Sequence, residues 1–506
     1  MISGHKPAPR VLLINPPFVM PVAAKTPYPP LGLAYLAACL ERDGCTVAVL
    51  DAYVEGADHV AQYNGQCVVG LQDAELATRI SEFRPDIVGL SYNFTHFHDP
   101  RFDTARVAKE AAPKALVVCG GHHVTMDWAR AIENPFVDMV VLGEGEETLV
   151  EIAQRWNEGK ERTDIPGTIA KRNGAMTDNG FRPPVADIDK LPLPAYHLLR
   201  MDLYLTDQRK NLFPFAMREP IGFLIASRGC PYHCIFCSTS KVFKKFRARN
   251  PERVVEEITL LMTQYGVREI AFQDDCFLGN LGAVERLCRI LVEKKLRIKW
   301  TVPPGLPVWR VKPELLRLMR DAGFYRACFP IETGCPETLR FIRKPVDLDG
   351  ALATVAQANR LGLWTYGNLV LGFPDETPAQ VEESVRYFMR SGLDMLSVYI
   401  CQPHAGSELY TEYLRLGLLK EGPRAGSNIF ETRYDTRHFT AAELNRLRGR
   451  VLSDFMRMRI RSLFTWHGLR AHLLNKIRSF EDFRYLLHIA RHVIVQSIRR
   501  KALRYF

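Results

Sequence analysis

The chain carries two successive runs in which short apolar stretches alternate with helical patterns, one over residues 11–156 and one over residues 221–400. In the first, Val11–Ile14, Thr46–Leu50, Asp86–Leu90, Ala115–Cys119 and Met139–Leu142 read as strands. Leu31–Asp43, Asp73–Phe83, Arg101–Ala112 and Glu146–Trp156 read as helices. The strands are apolar throughout rather than alternately polar, so both their faces need cover. A parallel sheet between two helical layers provides it. The expectation is an α/β, doubly wound, Rossmann-like domain over residues 1–160, with its ligand beyond the carboxyl ends of the strands.

Residues 161–215 are rich in Pro and polar groups and read as a connecting segment with a small strand or two. The second alternation has strands at Phe223–Ala226, Glu269–Gln273, Ile298–Val302, Ala327–Ile331, Thr365–Leu371 and Met395–Ile400. Helices are expected near Pro251–Gln264, Leu281–Lys294, Pro313–Ala322, Leu348–Leu361 and Pro378–Ser391. Six strand–helix units predict a partial (β/α)6 TIM-type barrel over residues 216–420. Residues 421–506 read as a helical, basic C-terminal region.

A chain of 506 residues is too long for one core, which agrees with this division. The net charge of +11 is confined: Ala441–Phe506 holds 15 Lys and Arg against 4 Asp and Glu, so the rest is neutral overall. No apolar run reaches the ~18 residues that cross a bilayer. Met1–Arg10 lacks the apolar stretch of a secretory signal, so a cytoplasmic location is expected. In a reducing compartment twelve cysteines are not a disulfide framework but buried small hydrophobes plus one metal site.

That metal site is Ser227-Arg228-Gly229-Cys230-Pro231-Tyr232-His233-Cys234-Ile235-Phe236-Cys237, just past the first barrel strand. Active sites of such barrels collect at the C-terminal ends of strands. Three thiols at C-x3-C-x2-C spacing can converge on one centre, and thiolates suit iron–sulfur clusters. A cubane has four irons, so three ligands leave one iron open to a substrate. The competing reading is a zinc knuckle completed by His233 or a distant Cys. The other cysteines lack ligand spacing. Cys39, Cys45, Cys119, Cys288 and Cys328 sit in apolar runs, and Cys276 and Cys401, near strand ends facing the site, are also read as packing residues.

The motif resembles that of the radical S-adenosylmethionine superfamily. The resemblance implies a 4Fe-4S cluster on Cys230, Cys234 and Cys237 whose open iron takes the amino and carboxylate groups of S-adenosylmethionine. Reductive cleavage then yields a 5′-deoxyadenosyl radical, with electrons from a donor such as flavodoxin or ferredoxin. Other barrel residues match in place. Gln273-Asp274-Asp275 ends the second strand, where the family binds the amino group, and an ammonium needs acceptors. Glu332 resembles the family's Glu that contacts the methionine or ribose part. Gly372, in Gly372-Phe373-Pro374, stands where backbone comes close to adenosine, and Phe236 lies along the adenine.

The first domain resembles the cobalamin-binding domain of one large branch of this superfamily. The matching stretches are Asn15-Pro16-Pro17, Tyr28-Pro29-Pro30-Leu31-Gly32-Leu33, Gly89-Leu90-Ser91-Tyr92, Gly120-Gly121-His122-His123 and Gly143-Glu144-Gly145-Glu146. Glycines at strand ends let backbone approach a large flat corrin and its nucleotide tail. The Asp-x-His-x-x-Gly motif that ligates cobalt in cobalamin mutases is missing: neither Asp58-His59 nor His96-x-His98 fits it. Cobalamin bound with no His beneath cobalt is therefore implied.

Over roughly residues 10–420 the chain looks most similar to class B radical S-adenosylmethionine methyltransferases, a group that includes the fosfomycin-pathway C-methyltransferase. Trp309-Arg310 and Lys344-Pro345 are further shared-looking stretches. The resemblance implies methylation of an unactivated carbon or phosphorus of a small molecule, with methylcobalamin as methyl donor. One alternative is another radical reaction with the same cofactors, such as oxidative ring closure. Another is a cobalamin-binding regulator with an inactive barrel, against which the intact cysteine motif speaks.

In the basic tail, Arg457, Arg459, Arg461, Arg470, Lys476 and Arg478 interleave with Met456, Met458, Ile460, Leu463, Phe464, Trp466, Leu469, Leu473, Leu474 and Ile477. The spacing predicts amphipathic helices. They are either a cap on the barrel, the preferred reading, or a surface for something anionic such as a membrane face. No nucleic-acid module accompanies the charge.

Overall fold

The computed structural model describes residues 7–20, 28–63, 66–93, 104–172, 175–208, 216–419 and 430–498. His96 and His98 lie outside them. The chain forms two compact units: Met1–Thr206 with Lys241–Lys244, and Asp207–Ser240, Lys245–Pro423 and the residues from Ser427 onward.

The first unit is built on a sheet of β1 (Arg10–Asn15), β3 (Thr46–Asp51), β6 (Ile87–Ser91), β7 (Leu116–Gly120), β8 (Met139–Val141), β9 (Thr168–Arg172) and β10 (Ala175–Asp178). They lie in the order β10-β9-β8-β7-β6-β1-β3, parallel from β8 to β3. Leu12 and Ile14 of β1 enter one buried cluster and Val11 and Leu13 the other. Each such Leu or Ile contributes about 1.5–3 kcal/mol by leaving water, which is why the strands are apolar on both faces. β9 and β10 pair antiparallel on the β8 edge, so this part of the segment read as a connector extends the sheet. A separate antiparallel sheet of β2 (Phe18–Met20), β4 (Val60–Tyr63) and β5 (Gln66–Val69) was not legible as strands, being short and partly polar. The chain steps from β1 to β3 on one side and to β6 on the other. The crevice of the sheet therefore opens between the ends of β1 and β6.

The second unit has a six-stranded parallel sheet: β11 (Ile221–Leu224), β14 (Glu269–Phe272), β15 (Lys299–Thr301), β16 (Phe324–Glu332), β17 (Trp364–Leu371) and β18 (Met395–Ile400), adjacent in that order. The two-residue strands β12 (Ser227–Arg228) and β13 (Arg247–Ala248) pair beside it. Helices Pro251–Tyr265, Leu281–Glu293, Pro313–Asp321, Leu348–Arg360 and Pro378–Arg390 separate the sheet strands, within two residues of the sequence expectation. Pro at the first turn opens three of them. Short helices Pro336–Phe341 and Glu408–Arg415 went unforeseen, because one or two turns show too little periodicity.

The C-terminal region is helical, as expected. A helix over Ala441–Ser462 starts on a capping box of Thr440 and Glu443, and helices Trp466–His472 and Phe480–Ile498 follow. The long helix spans ~33 Å at ~1.5 Å per residue. Near its start Leu444 packs on Gly372, at the C-terminal end of β17. Arg448 donates to the Val398 carbonyl. Farther along, His472 and Lys476 meet Asp394, just before β18. Among the described residues no helix is long and apolar enough to cross a membrane.

Candidate active site

The cysteine loop leaves the C-terminal end of β11 and is held from behind. Asp274, one residue past Gln273 at the end of β14, accepts from the Ala226 N–H at 3.0 Å and the Ser227 hydroxyl at 2.5 Å. Burial raises its carboxyl to about 7 against those hydrogen bonds. Arg249 donates to the Ile225 carbonyl at 2.8 Å and pairs with fully buried Glu257 at 2.6 Å. Gly229 takes φ 80°, a left-handed turn that glycine adopts without penalty. From Cys230 to Cys237 only Ile235 is buried, in a cluster with Leu339, Ile342, Phe373 and Leu409; the three thiols stay half-buried. The Ile235 main chain bonds to Ile342 and Leu409, and the Cys237 N–H donates to the Cys234 carbonyl at 3.0 Å.

The thiols differ electrostatically. A hydrogen bond from the Cys276 thiol holds Cys230 down to about 7, against burial. Burial pushes Cys234 up to about 11 and also raises Cys237. Cys276 is thus packed directly against a motif cysteine. Its place in the Asp274-Asp275-Cys276 run was the available signal. Among the described residues no three His, Cys, Asp or Glu side chains converge tightly enough to hold one metal ion. A lone zinc needs its sulfurs about 2.3 Å from a single centre, whereas a cubane spreads its cysteines over separate irons.

Around the loop stand groups suited to a zwitterionic ligand. The Gln273 amide nitrogen is buried and has no hydrogen-bond partner among the described residues. Asp275 is exposed at the same strand end, where its carboxylate accepts from Thr239 at 3.3 Å. Glu332 ends β16 with φ 72°, an uncommon conformation for a side chain of its size, and pairs with Lys344 at 2.6 Å, both under a tenth exposed. The Lys344 ammonium lies 5.9 Å from the rings of both Phe236 and Trp309. Trp309 donates to the Tyr232 hydroxyl at 2.8 Å. Phe236 lies 6.4 Å from Phe373.

Gly372 is needed for a reason the sequence did not show. Its φ is 82°, and a Cβ there would meet Leu444 at 2.8 Å. Its N–H and that of Phe373 donate to one oxygen of Glu376, a buried carboxylate that desolvation raises to about 7. Glu376 and Lys344 are the residues whose roles were missed. Nothing local marks a Glu two residues past Pro374 as the anchor of a turn.

In the first unit the residues singled out for cobalamin collect at the C-terminal edge of β1, β6, β7 and β8. Not all face outward. Asn15 donates to Asp51 at 2.9 Å, Tyr204 donates to the same carboxylate at 2.6 Å, and burial raises Asp51 to about 6. Pro16 and Leu90 are also buried. Ser91 accepts from Asn93 at 3.0 Å, and Tyr92 is half-buried. Gly120 ends β7, and Gly121 follows with φ 105° and a Cβ position only 2.6 Å from the Tyr92 carbonyl oxygen, so no side chain fits. His122 and His123 begin the next helix, where burial lowers His123 to about 4. Gly143 takes φ 72°, Glu144 accepts from the Val185 N–H at 2.9 Å, and Gly145 precedes the helix Glu146–Glu158. Glycine turns beside strand ends, with no bulky side chain at either, fit a large flat ligand.

Residues 19–153 match the model of the B12 binding domain, and residues 224–388 that of the radical SAM superfamily. The chain is 31% identical to an uncharacterized methyltransferase of Pyrococcus horikoshii over 91% of its own length and 95% of that protein. It is 30% identical to cytidylyl-2-hydroxyethylphosphonate methyltransferase of Streptomyces wedmorensis, over 81% of this chain and 82% of that one. Among solved structures, the radical S-adenosylmethionine methyltransferase TsrM from Kitasatospora setae, with cobalamin and a 4Fe-4S cluster bound, matches with a TM-score of 0.65 at 20% identity, covering 89% of each chain. Fold and site thus define a radical S-adenosylmethionine enzyme with a B12 binding domain. The chain belongs to the family of cobalamin-dependent radical S-adenosylmethionine methyltransferases.

Proposed function

We propose that this chain methylates an unactivated carbon, or a phosphorus, of a small biosynthetic intermediate, with a 4Fe-4S cluster on Cys230, Cys234 and Cys237. The carrying observation is the set of three half-buried thiols on one loop past β11, with the Gln273 amide nitrogen, unpartnered among the described residues, at the end of the neighbouring strand. Together, the bound cluster, S-adenosylmethionine and cobalamin supply a substrate radical and the methyl group that joins it.

The protein's part is positioning. Asp274 and Arg249 fix the base of the cysteine loop, and Ile235 anchors its middle. Gln273 offers its amide nitrogen as a donor to the methionine carboxylate of S-adenosylmethionine, and Asp275, more open than Asp274, offers an acceptor to its ammonium. Glu332 is held by Lys344 where the family's acidic residue meets the ligand. The Gly372 turn and Phe236 bound the adenosine side. In the first unit, the strand-end turns at Asn15-Pro16, Leu90–Tyr92, Gly120–His122 and Gly143–Gly145 would hold cobalamin; the sequence lacks the Asp-x-His-x-x-Gly motif. A small electron-transfer protein of flavodoxin or ferredoxin type would serve the cluster in the cytoplasm.

Anaerobic reconstitution tests the reading. The native chain should show broad iron–sulfur absorption and form 5′-deoxyadenosine. Cys230→Ala, Cys234→Ala and Cys237→Ala should each lose both. Retention of S-adenosylmethionine cleavage in all three variants would refute the site.

A further inference from the structure

The C-terminal helices present two different faces. The inner one is bound to the barrel: Lys476, fully buried, bonds to Asp394 and Asn359 at 2.7 Å each, and His472 meets Asp394 at 2.7 Å. Tyr485 packs edge-on between Tyr325 and Trp364, and Glu481 accepts from Arg218 at 2.8 Å. These contacts share one end of the sheet. Asp394 precedes β18, Trp364 opens β17, Tyr325 lies at the start of β16 and Arg218 precedes β11. The cysteine loop leaves the other end. At ~3.3 Å per residue, strands of four to nine residues separate the two ends by about 13–30 Å.

The outer face is not that of a cap. Of the thirteen large apolar side chains exposed among the described residues, seven fall within residues 460–487. Phe464 is 87% exposed, Phe480 75% and Trp466 70%. On the last helix the exposed positions run Phe480, Phe483, Arg484, Leu487 and Arg491, one stripe at helical spacing. Around the preceding turn they include Arg457, Ile460, Arg461, Phe464, Trp466 and Arg470, with Thr465 and His467 between them. Between residues 455 and 498 the acids are Glu481 and Asp482 alone. Glu481 is drawn inward by Arg218, and Asp482 caps Ser479 and the Arg478 N–H. The outward stripe is therefore aromatic, aliphatic and cationic.

We propose that this floor of the second unit, over residues 457–491, docks on an anionic lipid bilayer. Aromatic rings settle at the headgroup level and arginines meet lipid phosphates, a pairing that an amphipathic interfacial surface provides. A redox protein is a poorer occupant, since it must approach the cluster and this floor lies at the opposite end of the barrel. The inference stands apart from the reaction assigned above.

Vesicle flotation of the full chain tests it, with phosphatidylcholine vesicles alone and with phosphatidylglycerol added. The expected result is flotation with the anionic vesicles, lost at high salt and at least roughly ten-fold weaker on neutral ones. The triple variant Phe464→Ser/Trp466→Ser/Phe480→Ser should partition roughly ten-fold less while keeping iron–sulfur absorption and 5′-deoxyadenosine formation. Arg461→Glu/Arg484→Glu should lower anionic binding by about five-fold or more per site. Absence of flotation by the folded chain, or equal flotation by the triple variant, would overturn the proposal. So would self-association in sedimentation that the triple variant abolishes, which would give the surface to a second copy.

Discussion

Glu376 shows how much of the site rests on a side chain that anchors a turn. Its carboxylate gathers the N–H groups of Gly372 and Phe373 while 3% exposed. Removing it strands two buried donors at about 1–3 kcal/mol each. Glu376→Ala should therefore lower stability by about 2–4 kcal/mol in urea unfolding and raise the KM for S-adenosylmethionine more than it lowers kcat. Glu376→Gln, which still offers an acceptor oxygen, should restore most of both. Equal losses in the two variants would show that charge, not turn geometry, is what matters. Asp274 makes the related point. As one of two adjacent acids at a strand end it was a candidate ligand contact, but its carboxylate is spent on Ala226 and Ser227, and Asp275, which accepts from Thr239, is the more exposed of the two. Residue type and spacing place acids at a strand end; they do not say which of two neighbours turns inward.

Among the elements, the C-terminal helices show how a basic tail is joined to a barrel. Burial alone would raise the Asp394 carboxyl, but Lys476 and His472 outweigh it and hold it below the usual carboxylate range. A carboxylate whose folded pKa is depressed contributes stability that is full above its unfolded pKa. That stability is lost as pH falls through the folded value. Acid should therefore loosen this anchor below the ordinary carboxylate range, and Asp394→Asn should flatten that part of the stability profile. At neutral pH, Lys476→Met leaves Asp394 with one partner fewer and should cost about 3–5 kcal/mol by thermal unfolding. The double variant Asp394→Asn/Lys476→Met should recover part of the loss, because no buried charge is then left unpaired. The helices themselves were readable from periodicity, but their inner anchors were not, since Asp394 and Lys476 are 82 residues apart.

For the whole molecule the decisive measurement is stoichiometry. Methyl transfer in this family's manner should consume two S-adenosylmethionines per product, giving one S-adenosylhomocysteine and one 5′-deoxyadenosine, with labelled methyl reaching the product. Substrate turnover without S-adenosylhomocysteine would favour ring closure or another radical outcome. The first unit carries its own check. Substituting His59, His122 or His123 singly should leave the spectrum of bound cobalamin without the change that accompanies loss of a nitrogen ligand.

Periodicity and one short motif were enough to establish the two α/β units, the parallel sheets and the cysteine loop past the first barrel strand. Each of these is written in neighbouring residues: apolar runs, Gly and Pro punctuation, and thiols three and four positions apart. The placement of Cys276 against Cys230, the Glu332–Lys344 pair, the Glu376 anchor and the outward aromatic stripe of the tail came only from the tertiary structure. These depend on which face of an element is buried and against what, and burial is decided by packing between segments far apart in the chain. Phe464 reads as one of the tail's helical apolar residues yet stands exposed, while Phe455, nine positions earlier, is buried; packing between distant segments decides which is core.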